Sequence, residues 1–278
     1  RDVQVQVQGP LDQFPFNQAG EEGVFRIAGA VSGVVMDYVP AWLLLQGQPP
    51  WPPLEQLQGQ LIFDKASMQV RDASARVRGH ANWRFADIRA DIADLEHARV
   101  QVQAQGSGAL ATALDIVRVS PVAGFISHAL DEAQAEGAAR LQLGLDLPIE
   151  DIDRSRVSGQ VQLQDNRVQL SPAAPVLEQA RGRVDFSESG FAIQDVAVHA
   201  LGGPATITGG LDTRQDDDRV QVQARGTASA EGLRQMQGWG PVLQLSHHAS
   251  GSAAYTLDLS FDGPHMALDV HSDLRGLQ

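Results

Sequence analysis

The sequence of 278 residues contains no cysteine and a single lysine, Lys65, and aromatic residues make up only 5% of it. Without cysteine it has no disulfides, no thiol nucleophile and no cysteine-ligated zinc. The net charge of −13, with arginines scattered along the chain, argues against a nucleic-acid partner, because phosphate contacts need clustered cations. No apolar stretch reaches the roughly 20 residues that a transmembrane helix requires.

Known catalytic signatures are also missing. The sequence has no Gly-x-Ser-x-Gly elbow, no phosphate-binding glycine loop followed by lysine and no His-Glu-x-x-His. His247 and His248 would point to opposite faces of a strand, and His265 and His271 supply too few ligands for zinc. The run Asp216–Asp218 is typical of a solvated hairpin tip. We therefore expect no enzyme activity, no metal and no cofactor.

What the sequence does contain is alternation of apolar and polar residues. The run Val3–Gln8 alternates valine with glutamine, and Gln160–Gln164 alternates glutamine with Val161 and Leu163. A period of two is that of half-buried strands, and turn residues interrupt the runs about every 8–12 residues, which is hairpin spacing. The pattern predicts a mostly-β fold, an elongated, curved antiparallel sheet forming an open groove of repeated β-meander units.

Part of the chain is a copy of another part, because the same apolar pattern returns, without a gap inside each matching segment. The matching segments are Leu54–Val77 with Leu177–Ala200 at an offset of 123 residues, Val100–Gly106 with Val220–Gly226 at 120, and Gly137–Leu147 with Gly251–Phe261 at 114. One structural unit is therefore predicted to occur twice.

The duplication predicts how the chain is organised. We expect repeat unit one over 54–147, repeat unit two over 177–261 and the end of a preceding unit over 1–53. Because a repeat whose strands pair with the next repeat has no natural boundary, residues 1–278 are treated as one elongated body. Strand-like runs at both ends lead us to expect that the chain is part of a longer protein.

Two stretches depart from period two. Ala109–Glu136 has the apolar spacing of two short amphipathic helices, the second with Ser120 as its N-cap and Pro121 in its first turn. The shorter second copy spans Ala230–Leu245. About one helical segment per repeat is therefore expected, and it either caps the sheet or the core, or lies over the groove as a lid.

The apolar residues of the strands must cover something apolar. A sandwich or small barrel would fill the space with its own side chains, whereas repetition at fixed length favours a groove that an apolar guest such as a lipid acyl chain occupies. The predicted lining residues are Leu61, Phe63, Met68, Val70, Val77, Leu141, Leu143, Leu145, Val161, Leu163, Val184, Phe186, Phe191, Ile193, Val196, Val198, Leu257 and Leu259.

Six segments, taken in order, resemble the YhdP branch of the AsmA-like bacterial envelope proteins. They are Leu11–Phe16, Gly23–Ile27, Asp37–Trp42, Trp51–Phe63, Val119–Pro121 and Leu201–Ala205. The resemblance implies a large protein held in the inner membrane by an N-terminal helix, with periplasmic repeats that form a hydrophobic groove. It further implies that the groove carries phospholipid toward the outer membrane.

Three classes of function therefore compete. The first is a non-enzymatic conduit for phospholipid or another amphiphile, which meets the bacterial membrane through parts of the parent protein outside this sequence. The second is a structural or adhesive β-repeat protein with a self-filled core, for which the same residues are core. The third, a secreted hydrolase on a β scaffold, would require a cleft with convergent polar groups, of which the sequence gives no sign.

Overall fold

The computed structural model describes most of the chain. The described residues are 3–18, 20–39, 47, 49–126, 128–212, 220–235, 249–262 and 265–277. Several segments that carry sequence predictions lie wholly or partly outside them, among them Asp37–Trp42, of which residues 40–42 are not described. They also include Asp216–Asp218, His247 with His248, and the greater part of Ala230–Leu245.

The described residues form one open antiparallel sheet of 15 strands, which confirms the predicted mostly-β class. The strands are β1 (Val3–Gln8), β2 (Val24–Met36), β3 (Leu54–Asp64), β4 (Ser67–Val77), β5 (His80–Ile92), β6 (Arg99–Ala109), β7 (Gln134–Glu136), β8 (Ala138–Pro148), β9 (Arg156–Gln169), β10 (Leu177–Ser187), β11 (Gly190–Ala200), β12 (Gly203–Asp212), β13 (Val220–Ser229), β14 (Ser252–Asp262) and β15 (His265–His271).

The strand order is that of a meander. Each strand pairs with the next along the chain, except that β6 is followed by β8, while the short β7 pairs with β9. Helices α1 (Leu110–Arg118) and α2 (Val122–Phe125) lie between β6 and β7, and α3 (Ala230–Arg234) follows β13. A helical segment therefore follows the copied strands β6 and β13, as the sequence predicts.

Contacts within the chain divide it into two units. Unit 1 consists of residues 1–107 and 141–159, and unit 2 of residues 108–140 and 160–278. The repeat boundaries predicted from the duplication are a separate division of the chain and stay a prediction.

The two copied hairpins have the same register. In unit 1, Phe63 of β3 pairs with Met68 of β4, and in unit 2, Phe186 of β10, which is 123 positions later, pairs with Phe191 of β11. The copies therefore share their strand pairing as well as their sequence pattern.

Each strand of these hairpins also carries a β-bulge at a copied position. Gln56 and Gln179 both have a φ of 52°, and Asp72 and Asp195 have φ values of 48° and 46°. The pairing register shifts beside all four residues. Since a bulge inserts one residue into a strand, it explains why the apolar residues are spaced by three positions at these points and by two elsewhere.

The helical segment differs in detail from the prediction. Ser120 does not cap α2, because its hydroxyl donates instead to the carbonyl oxygen of Val117, 3.0 Å away at the end of α1, and no side chain caps α2. In the second copy Ser229 does act as a cap, since its hydroxyl accepts the N–H of Gly232 at 3.0 Å. Helix α2 begins after Pro121 and has no hydroxyl that caps its first turn.

A buried asparagine fastens the chain that returns from the helices in unit 2. Asn166 of β9 is 0% exposed. Its amide nitrogen donates to the carbonyl oxygens of Glu136 and Ala138, both at 3.0 Å, and its side-chain oxygen accepts the N–H of Gln164 at 2.7 Å. These bonds hold the junction between β7 and β8 against β9.

An aromatic cluster closes the β1–β2 connection of unit 1. Phe16 is 1% exposed, and a Cβ placed on Gly23 would lie 2.3 Å from its ring. Phe14 contacts Phe25 edge-on, with ring centroids 4.8 Å apart. Only glycine at position 23 leaves the space that the Phe16 ring fills.

Candidate functional site

Unit 2 presents a continuous apolar surface on one side of its sheet. Directly opposed residues of paired strands share a face, so the pairings from β10 to β15 arrange side chains in rows. One row, six strands wide, consists of Val184, Ile193, Gly209, Val222, Leu259 and Leu268. The next row consists of Val196, Ile207, Ala224, Leu257 and Val270. We call this side the apolar face of unit 2.

Unit 1 has an apolar face built in the same way. One row from β1 to β5 consists of Val5, Ile27, Phe63, Met68 and Ile92. A second row consists of Val3, Gly29, Leu61, Val70 and Ala90. Both rows contain residues of the first copied hairpin, β3 and β4. They also contain residues of β1, β2 and β5, which are not part of the copied hairpin.

The remaining predicted lining residues lie on β8 and β9. The leucines of β8 alternate along one face of that strand, and a Cβ placed on Gly106 of β6 would lie 3.2 Å from the Cβ of Leu141. On β9, Leu163 packs against a buried cluster that includes Ala180 and Val198. Their predicted role as lipid-contacting residues stays a prediction.

Burial changes along the strands of each apolar face. The predicted lining residues Val77, Val196 and Val198 are only 3–5% exposed, whereas the other fifteen are half-buried. Twelve of the nineteen apolar residues that are buried in the described part of the chain are alanines. In a typical globular core, large aliphatic side chains are buried as well as alanine. Phe63, Met68 and their copies are instead partly accessible.

The apolar rows of the structure contain residues that the alternation pattern did not predict as lining. Ile27, Ile92, Val222 and Leu268 belong to the same rows as the predicted residues but were not predicted as lining. Their own strands alternate in the same way, and this signal could have identified them. Which strands are neighbours was the missing information.

The opposite side of the sheet is polar and carries ion pairs. In unit 1, Arg26 contacts Asp64 at 2.7 Å, and Arg71 binds both carboxylate oxygens of Asp91. The further pairs within single units are Arg99–Asp146, Arg167–Glu136, Arg181–Asp165 and Arg183–Asp185. Most of these pairs join opposite charges on neighbouring strands, and Arg183 pairs with Asp185 of its own strand.

Two of these pairs change pKa values. Arg99 donates to both oxygens of Asp146 at 2.6 Å, and this hydrogen bonding lowers the pKa of Asp146 and raises that of Arg99. The hydrogen bond from Arg71 to Asp91 likewise raises the pKa of Arg71. Arg99 and Asp146 keep their charges at neutral pH, which makes this part of the polar side unsuitable for an apolar ligand.

One group of three potential metal ligands occurs in the described part of the chain, in the loop between β5 and β6. The ligand atoms of Asp94, Glu96 and His97 lie within 4.8 Å of one another. A hydrogen bond to Asp94 raises the pKa of His97. The two side chains are exposed and lie 3.3 Å apart, and they form an ion pair when the imidazole is protonated.

Of the four histidines considered from sequence, His271 is the one whose side chain the structure describes. Backbone pairing places His271 opposite Thr256, in a row of the polar side, and His271 is exposed. No helix in the described residues is both long enough and apolar enough to span a bilayer.

An open antiparallel sheet with duplicated hairpins, in which each unit has an apolar face and an ion-paired opposite side, defines a repetitive β-sheet protein. The chain belongs to the YhdP family, whose model, described as YhdP protein, matches residues 1–278. Family membership indicates a role related to lipid transport in the bacterial envelope, and this is not a known enzyme family. No curated protein and no solved structure matches the chain significantly.

Proposed function

We propose that the protein conducts phospholipid between the inner and outer membranes of a Gram-negative envelope, with the acyl chains on its apolar faces and without a chemical step or cofactor. The observation that supports this most directly is the unbroken row from Val184 to Leu268, whose valine, isoleucine and leucine side chains remain half-buried or exposed. Large apolar side chains left accessible in a continuous patch are typical of a binding surface.

The dimensions of this row suit an acyl chain. Six strands at the usual spacing span about 24 Å, whereas half the hydrocarbon thickness of a bilayer, the length of one acyl chain, is about 15 Å. Side chains without polar groups give no preferred position along such a row, so a chain can slide. Selectivity then arises from the width of the face rather than from polar contacts.

Family membership supports the proposed location. We place this chain in the periplasmic portion of a protein anchored in the inner membrane, and other parts of that protein make the membrane contacts. The partner of the apolar faces is phospholipid or a similar amphiphile. The acyl chains lie on the apolar faces, on the side of the sheet away from the ion pairs. The headgroup of the lipid remains in water.

A pair of neighbouring substitutions tests the proposal. Ile193→Asp places a carboxylate in the apolar row, where burial against hydrocarbon costs several kcal/mol. Gln194→Asp places the same charge on the adjacent residue, which faces the polar side and hydrogen bonds to Arg183. We expect native mass spectrometry to detect co-purified phospholipid on the unmodified protein and on the Gln194→Asp variant, and to find it lost from the Ile193→Asp variant.

The rival function, a structural β-repeat protein with a self-filled core, predicts a different result. In that case the unmodified, folded protein carries no lipid and binds none from vesicles. Equal lipid occupancy in the two variants would also contradict the proposal, because it would show that the apolar face does not contact the lipid.

A further inference from the structure

One side chain on the apolar face of unit 2 differs chemically from all the others described there. In strands β10–β15, the residues of the apolar rows are valine, isoleucine, leucine, phenylalanine, methionine, alanine or glycine, except for Tyr255 of β14. A hydrogen-bonding group on an otherwise apolar surface is the feature that fixes a ligand's orientation in most small-molecule sites.

The packing around Tyr255 holds its ring in place. Tyr255 is opposite Gly226 of β13 and packs against the buried cluster that includes Val198 and Ala205. A Cβ placed on Gly226 would lie 2.5 Å from the Cβ of Ala205, so glycine is required there.

The hydroxyl of Tyr255 is available as a donor. It forms no hydrogen bond with any residue that the structure describes, although the ring is half-buried. Burial raises the pKa of Tyr255, so the phenol keeps its proton at physiological pH. A buried or half-buried tyrosine usually has a partner for its hydroxyl.

A depression beside Tyr255 joins the apolar face to polar groups. Its volume is about 440 Å³, and it lies near the start of β14 and the end of β15. The residues that line it are Ala254, Tyr255, Thr256, Val270, His271, Ser272 and Asp273. A diacyl lipid also has an apolar part next to a polar part, and the boundary between its acyl chains and its headgroup contains the ester carbonyls. These carbonyl oxygens accept hydrogen bonds, and the esters have no hydrogen-bond donor.

We propose that the Tyr255 hydroxyl donates a hydrogen bond to an ester carbonyl of a bound diacyl lipid and so sets the position of the lipid's glycerol backbone in unit 2. This inference rests on the proposed function and adds ester linkage to the chemistry that the protein recognises. The corresponding residue of the first copy is Leu141, 114 positions earlier, so the copied position has no hydroxyl to make this contact.

Competition between two lipids tests the inference. The full chain is mixed with equal amounts of an ester-linked diacyl phosphatidylglycerol and its ether-linked dialkyl analogue, which lacks only the carbonyls, and bound lipid is counted by native mass spectrometry. One neutral hydrogen bond corresponds to roughly a fivefold preference for the ester lipid. We expect Tyr255→Phe to abolish this preference while still binding both lipids.

Thr206→Val is the matched control, since it removes an exposed hydroxyl from the polar side of β12, outside the depression, and should leave the preference intact. Far-ultraviolet circular dichroism and thermal melting verify that each variant is folded. An unchanged ester preference in the Tyr255→Phe variant, or equal binding of the two lipids by the unmodified protein, overturns the role of Tyr255 alone. Binding of neither lipid by the unmodified protein overturns the proposed function as well.

Discussion

At the scale of single residues, Asn166 shows how one polar side chain can hold a β-sheet protein together. It is inaccessible to water and satisfies three backbone groups, those of Gln164, Glu136 and Ala138. Gly137 beside it has a φ of 93°, and a Cβ there would lie 2.8 Å from the asparagine nitrogen. The close approach of the backbone at Gly137 to Asn166 requires glycine, and the hydrogen bonds require asparagine.

Replacing this asparagine should destabilise the protein. We expect Asn166→Ala to lower the free energy of unfolding by about 2–4 kcal/mol, because buried backbone groups lose their partners. Urea denaturation monitored by circular dichroism measures the change. Arg167→Ala, on the next residue, removes an exposed ion pair with Glu136 and should change stability by less than about 0.5 kcal/mol. Similar losses in the two variants would contradict the anchoring role.

The ion pair of Asp146 with Arg99 gives a prediction for pH. The pKa of Asp146 in the folded protein is lowered by its hydrogen bonds from Arg99, so the ionised carboxylate stabilises the fold above the unfolded-state pKa of about 3.9. This contribution disappears as the pH falls through the lower, folded-state pKa. The difference in unfolding free energy between the unmodified protein and Asp146→Asn should therefore be largest near neutral pH and vanish in acid.

Carbon-13 NMR of the Asp146 side chain provides a direct check. Its titration midpoint should lie below the ordinary aspartate value and return toward that value in an Arg99→Gln variant. A midpoint that does not move would show that Arg99 is not the cause.

At the scale of the strand, the copied bulges keep the large and small apolar residues on one side. Phe191 and Ile193 precede the bulge at Asp195, and Val196 and Val198 follow it on the same face. Without the additional residue, the alternation would place the second pair on the ion-paired side. Aspartate is suited to the left-handed conformation required there, whereas β-branched residues are not.

Asp195→Val should therefore cost about 1–2 kcal/mol of stability through backbone strain, while Asp195→Gly should be close to neutral. Ala197→Val serves as the comparison, because Ala197 lies in regular strand on the polar side, where valine is favoured. Thermal unfolding of the three variants measures the effects. If valine were tolerated equally at 195 and 197, the bulge would not be a constraint on the sequence.

At the scale of the whole molecule, equivalent hairpins in the two units predict that one can replace the other. We expect a chimaera with residues 177–200 in place of 54–77 to fold cooperatively. It should lose about 1–2 kcal/mol, because the grafted hairpin lacks the partners of Arg26 and Asp91. Differential scanning calorimetry gives the comparison.

A graft displaced by one residue, with 178–201 in place of 54–77, is the control for this experiment. It has the same length and nearly the same composition, but every side chain changes face. Cooperative unfolding of the displaced graft would show that the register of the hairpin does not matter.

The predictability of this molecule from its sequence differs between features. Alternation, duplication and the three-residue gap between Val70 and Ala73 predict the strands, the meander and, with hindsight, the bulges. The N-cap assigned to Ser120 was wrong, because proline alone sets the start of that helix and the hydroxyl has a nearer acceptor in Val117. The alternation placed Tyr255 on the apolar face, but the sequence did not show that it is the one hydroxyl in the described rows of unit 2. That requires knowing which strands are neighbours.

The paired bulges limit how these hairpins can diverge. A strand that gains or loses two residues keeps its apolar side chains on the same face of the sheet. A change of one residue moves every later side chain to the opposite face, unless a bulge is created or removed at the same time. Insertions and deletions between Gln179 and Asp195 should therefore occur in even numbers among natural relatives. Odd-numbered changes should coincide with the gain or loss of a residue in left-handed conformation.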